Sequence, residues 1–244
     1  MKAHTLFAVA PFVSILLMAV GAALRVVYDT SIRVPPPASS AAVNGAGTNL
    51  LATIGVLGVL LGHLVMVVWP DQLLIWNRSL IRLIVFEVAL VALGAAALGG
   101  AVAAVRRRVL QRTANRASLV DAAFLGTWLV TLSSGLAIAI VYRWATVWSA
   151  VTVTPYARSL LSLQPDVARL ETMPYLVRLH IFSSFIVVAL LAFTRMLDFL
   201  LSAAARAIGA VAGPLVSTVD RQWRPLQERA LRSGRTLIWP EEDD

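Results

Sequence analysis

The chain has 244 residues, 59% of them apolar and 14% charged, with a mean hydropathy of +0.78. Soluble domains carry about 25% charged residues, so the polar surface that a water-soluble enzyme needs is missing and the membrane class leads. The absence of cysteine excludes disulfides, thiolate-ligated zinc, iron–sulfur clusters, covalently attached c-type haem and thiol nucleophiles in this chain. A net charge of +8 would point to nucleic acid in a soluble protein; in a membrane protein the placement of the arginines matters more, and no nucleic-acid partner is expected.

A bilayer core of roughly 30 Å takes about 20 apolar residues in helix, because no water is there to satisfy an open backbone. Five stretches meet that requirement. In chain order they are 6–24, uncharged; 50–69, carrying only His63; 88–105, just after Glu87; 122–142, uncharged; and 175–193, which contains Arg178 and His180. Breakers lie between them: Pro35-Pro36-Pro37, Trp69-Pro70-Asp71 and Met173-Pro174. The first stretch is long for a signal-peptide core and lacks a small-x-small cleavage site, so it is read as a retained helix.

Five spans put alternate loops on opposite sides. One side collects Arg25, Arg33, the cluster from Arg106 to Arg116 and the arginines from Arg195 onward, 14 in all; the other collects Lys2, Arg78, Arg82, Arg143, Arg158, Arg169 and Arg178, which are 7. The positive-inside rule places the first set in the cytoplasm. The expected fold is therefore an all-α integral membrane bundle of five transmembrane helices over 1–201, with the N-terminus periplasmic and the C-terminus cytoplasmic. It sits in a bacterial or archaeal inner membrane, in contact with lipid. A basic cytoplasmic tail, 202–244, follows and reads as a surface-lying segment.

Histidine inside a span is uncommon, and an intramembrane ionisable group is a functional candidate by default. His63 lies seven residues before Pro70 on an outward-running span, and His180 lies six residues after Pro174 on an inward-running one. At 1.5 Å per residue both imidazoles fall roughly 9–10 Å below the outer face. Two neutral imidazoles at one depth on antiparallel helices, with apolar walls, match the ligation of a b-type haem. The bland alternative is a pair of hydrogen-bonding core histidines. Gly55, Gly58 and Gly62 give span two a smooth stretch where a flat macrocycle or another helix approaches. Asp121, Glu87 and Asp198 are single carboxylates at span ends, His4 precedes the first span, and no catalytic triad or phosphate loop is found.

The run Leu24-Arg25 with Tyr28-Asp29, Asn49-Leu50 through Ile54-Gly55, Leu61-Gly62-His63-Leu64 and Pro70 resembles the gamma, or cytochrome b, subunit of membrane-bound respiratory nitrate reductase. So do Arg107-Arg108, Arg116-Ala117 before Asp121, Arg158-Ser159-Leu160 leading to Gln164-Pro165-Asp166, and Pro174 with Arg178-Leu179-His180 and Phe193-Thr194-Arg195. The resemblance implies five helices with the N-terminus outside and an outer haem held by the residues matching His63 and His180. It also implies a quinone or quinol site at the outer face, and iron–sulfur and molybdenum-type catalytic subunits as partners. The family's second haem would need ligands at Thr53 and Asp198, so one haem b is expected here. The family places a lysine near the start of span three by the quinol; the only lysine here is Lys2, which leaves Arg78 and Arg82 as the nearest cations. Glu87 is a candidate to take a quinol proton and Arg178 to meet a haem propionate. Their bland readings are interfacial snorkelling for Arg78 and Arg82, a lipid-headgroup contact for Arg178 and, for Glu87, a helix-start carboxylate paired with Arg82 or Arg178. The expected function is electron transfer between the quinone pool and partner subunits. The alternatives are a gamma-like subunit with a periplasmic partner and a haem-free membrane anchor.

Overall fold

A computed structural model describes residues 3–27, 46–110, 119–194, 196–197, 200–201 and 208–209. Among them every regular element is a helix: α1 (Ala3–Val27), α2 (Ala46–Val68), α3 (Pro70–Trp76), α4 (Leu80–Leu110), α5 (Leu119–Val141), α6 (Ala145–Leu161), α7 (Ala168–Glu171) and α8 (Tyr175–Leu191). Asp198 and nearly all of the 202–244 tail lie outside the described residues. The chain divides into two compact units, Met1–Asp198 and Phe199–Asp244.

Four helices are long and apolar enough to cross a membrane, over Thr5–Arg25, Leu50–Val68, Leu80–Arg106 and Leu119–Val141; α8 is apolar but shorter, at 17 residues. No more than 28% of the most apolar stretch of any of the four is buried. Their outward faces are apolar too, which suits lipid and not water as the surrounding medium. The third of these helices starts at Leu80, well before the expected 88. Its two early charges do not end it, because Arg82 lies over the Trp76 ring, 5.1 Å from the centroid, and Glu87 is satisfied by α6.

α2 and α4 pack antiparallel through small residues. A Cβ at Gly55 would stand 2.6 Å from both the Leu93 carbonyl oxygen and the Ala97 nitrogen, so the backbones meet where only glycine fits. At Gly62 the neighbour is the Leu90 side chain instead of backbone. Of the two visitors that the smooth stretch admits, the structure supplies the helix. α8 packs along α5 on one side and α1 on the other. At one end of the α1–α8 pair, Phe7 meets Phe182 edge to face at 6.5 Å; at the other, Arg25 Nη2 donates to the Thr194 carbonyl at 2.5 Å.

The segment between α5 and α8 is itself mostly helical. α6 begins after Trp144, whose φ of 63° lies in the left-handed region that a tryptophan rarely adopts. Tyr156 on α6 is buried with Phe7, Val167 and Leu170, and its hydroxyl donates to the Phe7 carbonyl at 2.8 Å.

Candidate functional site

α2 and α8 face each other across a cavity of about 470 Å³ whose walls come from α2, α4, α5, α6 and α8. Its lining is predominantly apolar, including Val56, Leu90, Trp128, Leu136 and Val187, with His63 and His180 turned into it. That size and character suit a cofactor or small-molecule site. The two imidazoles meet there: their ring centroids are 6.1 Å apart and their planes are inclined by 33°.

Both rings are held through the same nitrogen. His63 Nδ1 lies 2.8 Å from the Val59 carbonyl oxygen, one turn back on its own helix. His180 Nδ1 lies 3.0 Å from the Thr131 carbonyl oxygen of α5. A carbonyl only accepts, so each Nδ1 carries a proton, and in the neutral tautomer that this favours Nε2 is left as the acceptor. Ser134 Oγ, 3.3 Å from His180 Nδ1, donates its own proton to the Thr131 carbonyl and supports the same arrangement. Thr131 also donates to Ser183, and Ser183 and Ser184 both donate to the His180 carbonyl. The Thr131–Ser183 bond and the Ser134 contact join α5 to α8 at the His180 turn, while Ser183 and Ser184 donate within α8.

Gly135 makes room for the ring. A Cβ there would stand 2.8 Å from His180 Cε1 and 3.2 Å from Nδ1. Sequence reasoning missed Gly135, Thr131 and Ser134, although the cluster Thr131, Ser133 and Ser134, one turn after Thr127 in a largely apolar span, is a readable signal.

The remaining candidates are placed differently. Glu87 lines the cavity, and its Oε1 accepts from the Thr146 backbone N–H at 2.8 Å and from the Thr146 hydroxyl at 2.7 Å. Asn77 Nδ2 in turn donates to Thr146 Oγ1 at 3.1 Å. The α6 N-cap makes no side-chain hydrogen bond of its own, so the carboxylate fills that role from another helix, at the positive end of the α6 dipole. Among the described residues neither Arg82 nor Arg178 is within ion-pair distance of Glu87, which replaces the expected pairing with a hydroxyl and a backbone amide. Arg78 and Arg82 are exposed, and neither lines the cavity. Arg178 is half-buried, does not line it either, and has an Nε without a partner among the described residues. No group of three or more His, Cys, Asp or Glu gathers among the described residues to hold a metal ion, so the histidines stand as a pair.

The chain matches the family model of the nitrate reductase gamma subunit over residues 3–206. It belongs to that family. A search of the curated proteins found no match. Membership in the nitrate reductase gamma family sets the His-lined cavity in a membrane subunit of a nitrate-reductase-like oxidoreductase complex, which is a redox setting. The matched region spans α1 through α8.

Proposed function

We propose that this chain is the membrane cytochrome b subunit of its complex, passing electrons between the quinone pool and iron–sulfur and molybdenum-type catalytic subunits through one haem b held by His63 and His180. The facing imidazoles carry this reading. Their ring centroids are 6.1 Å apart at the cavity, close enough that the two side chains together would hold one group. Both already present Nε2, and among the described residues nothing donates to either. A ring nitrogen without a protein donor, at the wall of an apolar cavity, is available to a metal. The donor set, the tautomers fixed from behind and the apolar cavity all suit a haem.

When bound there, the haem supplies a one-electron redox couple. The chain's own residues do the rest. Thr131 and Val59 carbonyls orient the ligands, Gly135 admits the His180 ring, and the apolar lining excludes water. Glu87, kept in place by Thr146, offers its second carboxylate oxygen to the cavity as an acceptor for a hydroquinone proton. Arg78 and Arg82 stand at the outer end of α4, where a quinone carbonyl or headgroup passes, and Arg178 is kept as a propionate contact. Thr53, with neither imidazole nor thioether, offers no ligand for a second haem, which supports a count of one.

α8 completes a set of five spans in this reading. It runs beside α1 from the Phe7–Phe182 contact to the Arg25–Thr194 bond, and that companionship with a full-length span supports a crossing despite its 17 residues. The arginine distribution orients the bundle with the N-terminus outside and both histidines nearer the outer face.

The test is the visible spectrum of the purified chain. One haem per chain by pyridine haemochrome assay and a sharp reduced alpha band are expected. His63→Ala and His180→Ala should each abolish the band while the protein still reaches the membrane. A wild-type chain with no band would reassign it as a haem-free anchor.

A further inference from the structure

Pro70 leaves a gap in the hydrogen bonding of α2, and α6 fills it. The Met66 carbonyl would accept from the N–H of residue 70, four positions on, but proline has none. The helix ends at Val68, which frees the carbonyls of Val67 and Val68 as well. All three find donors on α6. Thr154 Oγ1 donates to Met66 O at 3.1 Å, Arg158 Nε to Val67 O at 3.0 Å and Arg158 Nη2 to Val68 O at 3.0 Å. Ser149 Oγ adds a 3.5 Å contact to Met66 Sδ. The turn so held begins three residues after His63.

We propose that Arg158, with Thr154, is a positioning residue for His63: the guanidinium and hydroxyl cap the last turn of α2 and so fix the depth and tilt of the His63 ring opposite His180. The inference rests on the reading of these histidines as haem ligands and adds a role for a residue that touches neither ring. A guanidinium is suited to the task, because its fork reaches two successive carbonyls and its charge sits at the negative end of the α2 dipole. That charge meets carbonyls four and five residues beyond His63, roughly 6–8 Å along the helix, and even when screened at an exposed position it favours the reduced form of a redox centre there, since reduction lowers the positive charge of the centre. Among the described residues the His63 ring hydrogen-bonds to its own helix alone, at Val59, and meets α8 through the His180 ring without a hydrogen bond. Its position relative to α8 therefore depends on what holds α2.

The experiment uses the full-length chain in detergent, with three variants read by potentiometric titration of the alpha band and by electron paramagnetic resonance of the oxidised form. Arg158→Gln should keep the haem, lower its midpoint potential, and shift or broaden the low-spin signal, which reports the angle between the imidazole planes. Arg158→Lys should restore most of the potential, because the charge returns, but not the signal shape, because the fork does not. Thr154→Val should broaden the signal at unchanged potential. A haem in Arg158→Gln with wild-type potential and signal would overturn the positioning role while leaving the ligand assignment intact. If Arg158→Gln does not accumulate, an unaltered signal in Thr154→Val overturns it instead. A wild-type chain without haem overturns the ligand reading and this inference together.

Discussion

A methyl group added at Gly135 would stand 2.8 Å from His180 Cε1, closer than two carbons approach without something moving. The ring cannot retreat freely, since its Nδ1 is tied to the Thr131 carbonyl. Gly135→Ala should therefore displace His180, at an overpacking cost of about 1–3 kcal/mol, and reduce haem content or shift the alpha band. Gly126→Ala on the same helix, where a Cβ meets nothing within 4 Å, should leave the spectrum unchanged. Equal spectra for both variants would remove Gly135 from the site. Glu87 allows a sharper separation of roles. Glu87→Gln keeps an oxygen that accepts from Thr146, so haem content should hold while reduction of the haem by a quinol analogue slows. Arg82→Ala should also slow it if Arg82 orients the quinone, again with the spectrum intact. Stopped-flow reduction kinetics unchanged in both variants would return these side chains to structural and interfacial duties.

At the scale of elements, the apolar spans were legible because their signal is additive: about 20 apolar residues in a row permit little else. Helices α1, α2, α5 and α8 each end within a few residues of the stretches read from the sequence. The histidine pairing was legible for a related reason, since depth follows from counting residues along a helix of fixed rise. Two things were not. The start of α4 was placed late because Arg82 and Glu87 read as span limits, whereas their partners, the Trp76 ring and Thr146, lie on other elements. α6 was missed because its buried face is carried by Thr146, Ala150, Thr154 and Tyr156, small and polar residues that no hydropathy window rewards. The four-residue spacing of Thr146, Ala150 and Thr154 was the available trace. The α2–α4 contact adds a prediction at this scale. Gly55→Val has no room against the Leu93 and Ala97 backbone, so it should part the two helices and lower the thermal midpoint of the purified chain, whereas Gly99→Ala, whose Cβ meets nothing within 4 Å, should change it little. Similar melting of both variants would contradict a close crossing at Gly55.

For the whole molecule the question is which side of the membrane the histidine pair faces, because under the proposed function that decides where a quinol would give up its protons. The pair lies near the end of the bundle that also holds α3, α6 and Glu87, and the proposed orientation, which rests on 7 basic residues against 14, would put that end outside. The chain has no cysteine, so single cysteines can report the side without background. Ser162 follows α6 and is exposed, and Arg106 lies near the far end of α4 and is exposed. In intact cells a membrane-impermeant maleimide should label Ser162→Cys, and should reach Arg106→Cys only after permeabilisation. A reporter fused to the C-terminus should be active in the cytoplasm if α8 crosses, and in the periplasm if the bundle has only four crossings. Labelling of Arg106→Cys from outside would invert the molecule, and would place the proton-releasing end of the cavity in the cytoplasm.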